Sequence, residues 1–240
     1  MVMKYLILIG LLLIQNQLLA KTTIAISSTP SNLNPLFSTD ANSQNINRLL
    51  YRSLIDYDRK MNPICDACES FEEKILNDGK QKLFFKIKKD LKFHNGDPID
   101  SFAIKKIIEK FKDDEYESVF LSSFKKIIDI KTYNSDTLEI TFDSFDYDNM
   151  GNLALVRFFK LKPGYTKQFN FNHFIGSGNY WYKENNNQKI VIERLSGKGL
   201  KEIEFKVVKD ETTNALKIIN KEVDISLSNM SARKFSWLEK

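Results

Sequence analysis

Apolar residues in this chain recur with two different periods, and the two alternate along it. In residues 83–88, Leu83, Phe85 and Ile87 take turns with Phe84, Lys86 and Lys88, the two-residue period of a half-buried strand. Behind Asp100, a residue suited to capping a helix, Ala103, Ile104, Ile107, Ile108 and Phe111 recur every 3.6 residues. Asp40 stands in the same relation to Ile46, Leu49, Leu50 and Leu54, which predicts a helix of three to four turns. A short β-prone run, Ile24–Ser27, precedes it, followed by a loop to Asp40 that holds Pro30 and Pro35. Ile127–Tyr133 and Thr137–Phe142 flank the turn-forming Asn134-Ser135-Asp136 and predict a hairpin. A second hairpin is expected from Asn179–Lys183 and Lys189–Arg194 around Asn185-Asn186-Asn187. Toward the end, Ile203, Phe205 and Val207 alternate, Ala215, Leu216, Ile218 and Ile219 are spaced as on a helix, and Val223–Ser226 reads as a strand. A strand, helix, strand unit usually makes a parallel pair with a right-handed crossover, so the fold class is α/β, mixed, with antiparallel parts.

With 42% hydrophobic residues, 9 Gly, 5 Pro and 2 Cys in 240 residues, the chain is neither disordered, collagen-like nor disulfide-dense. Its 36 Lys+Arg and 31 Asp+Glu are interleaved, and the net charge of +5 describes a solvated surface more than a nucleic-acid stripe. Lys4, the apolar run Tyr5–Ile14 and Leu18-Leu19-Ala20 follow the charged, apolar, small-residue order of a secretory signal peptide, with cleavage expected after Ala20. That run is about half of the ~20 residues a permanent membrane span needs. The mature protein is therefore expected to be exported and soluble. Export places Cys65 and Cys68 where disulfides persist, and a local disulfide is the favoured state. The competing reading, a redox Cys-x-x-Cys, is opposed by Pro63 before the pair and the negative charge of Asp66 inside it. Zinc needs four ligands, and only His94 and His173 are available elsewhere as histidine partners.

Catalytic chemistry finds little footing. His94 beside Asn95-Gly96 lacks a second ligand, His173 between Phe171 and Phe174 reads as a packed loop residue, and no Ser, Cys or acid completes a nucleophile pattern. The acidic run Asp143–Asp148 lacks calcium-loop spacing and is expected to be a solvated loop. No cofactor and no metal are implied, and the chain is read as a binding protein, not an enzyme.

Four stretches, in order, carry a family resemblance. Leu33-Asn34-Pro35 with Ser38-Thr39-Asp40 and Leu49-Leu50-Tyr51-Arg52-Ser53-Leu54 form the first. Asn77-Asp78-Gly79-Lys80 and Lys92-Phe93-His94-Asn95-Gly96-Asp97-Pro98, on either side of a strand, form the second. Gly176-Ser177-Gly178-Asn179-Tyr180 is the third, and Lys221-Glu222-Val223-Asp224-Ile225 the fourth. Together they resemble the extracellular solute-binding proteins that deliver oligopeptides, dipeptides or nickel to ABC importers.

The resemblance implies a periplasmic-binding-protein type II-like lobe with a mixed sheet and an inserted smaller α+β domain, the second lobe being largely missing. The implied division is a signal peptide at 1–20, lobe I at 21–60 and 161–228, the inserted domain at 61–160, and the start of a truncated second lobe at 229–240. It implies a periplasmic protein that captures a peptide or other small solute and hands it to membrane permease subunits. No nucleic acid is involved, and the protein is a monomer unless a second chain supplies the missing lobe. The positions that match the ligand-holding rim are Ser38, Thr39, Asp40, Gly176, Ser177 and Gly178. Ser and Thr hydroxyls donate or accept, Asp40 can pair with a ligand amine, and glycines admit close backbone approach. The competing readings are a helix cap for Asp40 or Thr39 and an ordinary hairpin entry for Gly176–Gly178. The alternative function is a vestigial interaction module without high-affinity capture.

Overall fold

The structure, a computed structural model, describes residues 21–238 except 168, 187 and 229. The expected leader lies outside the described residues. Contacts divide the chain into two compact units, one of residues 31–178 and one joining 21–30 to 179–238; the segment 61–160 expected as the smaller domain falls inside the first.

In chain order the elements are β1 (Lys21–Ile26), α1 (Ala41–Leu50), β2 (Ile55–Tyr57), β3 (Pro63–Cys65), β4 (Cys68–Ile75), β5 (Gln81–Ile87) and α2 (Ser101–Lys112). Then follow α3 (Leu121–Phe124), β6 (Ile127–Asn134), β7 (Thr137–Phe142), α4 (Tyr147–Leu155), β8 (Lys160–Leu161), β9 (Phe174–Ile175), β10 (Tyr180–Asn186) and β11 (Lys189–Arg194). The last are β12 (Glu202–Val207), α5 (Glu211–Ile219), β13 (Ile225–Ser226) and α6 (Ala232–Leu238).

The unit of residues 31–178 is built on a four-stranded antiparallel sheet in the order β4-β5-β7-β6. The period-two pattern is expressed directly. Leu83, Phe85 and Ile87 of β5 and Leu138, Ile140 and Phe142 of β7 are buried, and α2 packs against β6 and β7 through its own buried stripe of Ile104, Ile107, Ile108 and Phe111. Asp100 caps α2, its Oδ1 accepting from Ala103 N at 2.8 Å. Gly79, at φ +82° in the turn between β4 and β5, takes a left-handed conformation that suits glycine. α1 ends at Leu50, a turn sooner than its apolar spacing predicts. Leu54 is buried beyond it, in a bend just before β2, because tertiary contact, not helix periodicity, places it.

The acidic run also departs from expectation. Asp143–Asp148 is not a solvated loop throughout, since Asp146 caps α4 by accepting from Asp148 N at 2.9 Å and Tyr147 opens the helix. Its other carboxylate oxygen pairs with Lys126 at 2.7 Å. A capping acid and an exposed acid look alike when the apolar stripe behind them is short.

The second unit is a five-stranded mixed sheet in the order β10-β11-β12-β1-β13. The expected hairpin is present, β10 pairing antiparallel with β11, which pairs antiparallel with β12. β1 then runs parallel to both β12 and β13. The unit β12-α5-β13 is thus parallel as expected, but its two strands are not neighbours, because β1 lies between them. Ala25, Val208 and Val223 form a small buried cluster there, with Ile218 of α5 packed against it. No helix among the described residues is long and apolar enough to cross a membrane.

Candidate functional site

The residues singled out from the sequence lie in the unit of residues 31–178, at the two ends of α1. At the N-terminus, Asp40 is the cap: Oδ1 accepts from Ser43 N at 2.9 Å, and Oδ2 accepts from the Ser43 and Ser31 hydroxyls and from Ser31 N at 3.2 Å. Burial alone would raise this carboxyl's pKa, but the hydrogen bonds from Ser31 and Ser43 outweigh it and hold the pKa below the usual range. A carboxylate offers about four lone-pair sites, and here four of the protein's own donors, from Ser31 and Ser43, already engage it, three on Oδ2 and one on Oδ1. Ser38 is fully buried, its Oγ without a partner, while its carbonyl accepts from Gln44 Nε2. Thr39 is exposed.

Gly176–Gly178 sits at the other end. Ser177 N and Gly178 N donate to the Leu50 carbonyl, at 3.3 and 2.9 Å. The Ser177 hydroxyl donates to Phe158 O at 2.6 Å and accepts from Arg52 N at 2.9 Å. His94 closes the knot with its backbone N–H on Gly176 O at 2.9 Å and its Nε2–H on Gly178 O at 2.8 Å. Burial holds the His94 pKa below its ordinary value, with the Gly178 bond opposing in part, and a neutral ring donating through Nε2 fits that environment. A Cβ on Gly178 would lie 2.1 Å from Leu49 O, so this glycine permits contact with α1. Ser38–Asp40 and Gly176–Gly178 therefore lie at opposite ends of α1. Ten residues of helix, about 15 Å at 1.5 Å per residue, lie between them.

What the Ser177 knot does hold is the backbone around Arg157. Phe158 N donates to Arg52 O at 2.8 Å, tying the chain at 158 to that at 52. Arg157 is 3% exposed, donates through Nη1 to Ser53 Oγ at 3.3 Å, and leaves its Nε buried without a partner. Burial pushes its guanidinium down to about 10, with Asp56 and Asp66 acting against that and Arg48 reinforcing it. Those two acids are already engaged. Asp56 pairs with Arg48 at 3.3 Å, and Asp66 with Arg52 at 3.0 Å and with Ser53 N at 2.8 Å. Three arginines face two aspartates, and Arg157 makes no ion pair among the described residues. Buried charges are ordinarily paired, so Arg157 is the least compensated charge of this cluster. Cys65 and Cys68 are disulfide-bonded, and the loop they close carries Asp66 into this cluster. Sequence reasoning passed over Arg157, although it is the lone charge in the apolar run Leu153–Phe159. No group of three or more His, Cys, Asp or Glu side chains is placed to hold a metal among the described residues.

The model of the bacterial extracellular solute-binding proteins, family 5, middle region, matches residues 67–236. The chain belongs to this family. Among curated solute-binding relatives, the nickel-binding periplasmic protein of Escherichia coli is 27% identical over 208 residues, 82% of this chain and 39% of that protein. The glutathione-binding protein GsiB of Pectobacterium atrosepticum is 26% identical over 179 residues, 72% and 34% respectively. The chain thus spans less than half the length of these relatives. The fold is shared with OppA of Burkholderia pseudomallei, at TM-score 0.77 and 14% identity over 91% of this chain and 47% of that one. It is also shared with NikZ of Campylobacter jejuni, solved with Ni(L-His), at TM-score 0.76 and 18% identity over 92% and 45%. AppA of Bacillus subtilis, solved with a nonapeptide, matches at TM-score 0.75 and 20% identity over 92% and 46%.

Proposed function

We propose that this chain acts as a substrate-binding component of an ABC importer, capturing a peptide or similar small solute outside the cytoplasmic membrane for delivery to a membrane permease. Family membership supports the transport role, and the relatives are named as binding proteins, not enzymes. The observation that carries the finer reading is the under-neutralised cluster around Arg157. A guanidinium accepts a carboxylate through two parallel charge-assisted hydrogen bonds, so the solute's anionic end would complete the cluster. The solute is held by reversible capture, with no bond made or broken. Thr39 is the candidate rim residue whose side chain remains exposed to meet it. The reading as an interaction module without capture gains no support from these relatives.

The test is Arg157→Met. Replacing a buried, poorly paired charge by an apolar side chain of similar length is neutral or stabilising in a ligand-free protein. The variant should melt at or above the wild-type temperature, yet lose the melting shift that tripeptides with a free C-terminal carboxylate give the wild type. C-terminally amidated tripeptides should give the wild type little shift. A variant that melts much lower while still responding to the free acids would refute the assignment.

A further inference from the structure

A recess lies in the same unit, lined by none of the residues of the arginine cluster. It is a groove of about 710 Å³ along the exposed face of α2, walled by Phe93, Phe102, Ile107 and Phe159 and edged by lysines. Its volume falls within the range of about 300–1,000 Å³ typical of small-molecule sites. Phe102 is 48% exposed at its rim, an aromatic ring left in water at a helix position where a polar residue costs nothing.

The charges of the groove are unequal in their partners. Lys160 is satisfied, with Asp97 at 2.6 Å and its Nζ over the Phe93 ring at 5.0 Å. Asp97 in turn accepts from Asn95. Asp100 is engaged in capping α2. Among the described residues Lys110 bonds only a neutral phenol, Tyr116 OH at 3.1 Å, and lies 4.8 Å over the same ring. Lys106, one helical turn before it, is exposed and makes no ion pair or hydrogen bond among the described residues. The nearby Glu109 is paired with Lys105. Two lysines at positions i and i+4 repel each other on a helix face, and here no acid relieves them. With three lysines and two acids lining it, the groove keeps one positive charge beside an aromatic wall.

We infer that this groove is a binding site, distinct from the Arg157 cluster, for a small amphipathic monocarboxylate. The carboxylate bridges the ammonium groups of Lys106 and Lys110, and the apolar body lies against the exposed ring of Phe102, beside the buried Phe93 and Phe159. Charge-assisted hydrogen bonds from the two lysines supply orientation, and burial of the exposed ring supplies affinity. The site is complete within residues 93–161 and does not depend on the solute reading above.

The probe is 4-phenylbutyrate, titrated into the isotope-labelled chain beside its neutral and cationic counterparts, 4-phenylbutan-1-ol and 4-phenylbutylamine. Amide shifts should map to residues 93–116 and 159–161, and the acid should bind about tenfold or more tighter than the alcohol. Lys106→Gln with Lys110→Gln should remove that tenfold preference and leave alcohol binding intact; Lys106→Gln alone serves if the double variant folds poorly. Phe102→Ala should weaken all three probes. The tripeptide melting shift should persist in the lysine variants, which separates failure here from failure at Arg157. Equal binding of the three probes, no binding of the acid up to about 10 mM, shifts mapping elsewhere, or full acid affinity in the lysine variant would each overturn the proposal.

Discussion

Replacing Gly178 by alanine tests whether the Gly-Ser-Gly stretch is a packing knot. The added Cβ would sit 2.1 Å from Leu49 O and 2.6 Å from Leu50 C, both backbone atoms at the end of α1, so no side-chain rotation relieves the overlap. The loop must withdraw by about an ångström, and that movement breaks the bonds from Ser177 N and Gly178 N to Leu50 O and from His94 Nε2 to Gly178 O. Three hydrogen bonds at about 0.5–1.5 kcal/mol each give a loss of about 3 kcal/mol. For a chain of this size, at about 2–4 °C per kcal/mol, the melting temperature should drop by about 6–12 °C. Gly151→Ala is the matched control. It lies inside α4, where a Cβ would meet only Tyr57 OH at 3.7 Å, and alanine should stabilise the helix by about 0.5–1 kcal/mol. Differential scanning calorimetry of the two variants reads the opposite signs. A Gly178→Ala protein melting within a degree of wild type would refute the close-packed knot.

His94 should give stability a pH dependence of defined sign. Because burial lowers its folded-state pKa below the ordinary 6.5, the stability from the neutral ring is fully present above pH 6.5 and is lost as the pH falls through the lower folded value. Urea midpoints measured from pH 7.5 to 4.5 should fall less steeply in His94→Gln; equal slopes would remove His94 as the cause. Reducing the Cys65–Cys68 disulfide, which closes a four-residue loop, should cost about 2 kcal/mol on the chain-entropy relation. It should also loosen the loop that presents Asp66, seen as faster amide exchange at Ser53, whose N–H donates to Asp66 Oδ2. Unchanged exchange would mean the loop holds without the bridge.

The expected architecture was legible where information is local. The alternation at Leu83, Phe85 and Ile87 became β5, and Asp40 and Asp100 became the caps of α1 and α2. Both hairpins formed, β6 facing β7 and β10 facing β11, although Asn185 and Asn186, expected in the second turn, extend β10. Period and capping are properties of a few neighbouring residues, and neighbours in sequence are neighbours in space. The family resemblance drew on the same kind of short motif, in order.

Other features depend on contacts that no spacing encodes. β1 enters between β12 and β13 by pairing with residues about 180–200 positions later. Ser38–Asp40 precedes α1 and Gly176–Gly178 packs on its far end, at Leu50. Arg157 gains its meaning only when residues 48–66 deliver two aspartates already engaged by two other arginines. By itself the sequence determined the strongly periodic segments, such as β5 and α2, and the acids Asp40 and Asp100 that cap α1 and α2, because those choices are made within a turn or two of backbone. The tertiary structure decided which strand lies beside which and which charges are left unmatched, because burial and electrostatic neutralisation depend on distance in space, and the chain brings remote residues together only when it folds.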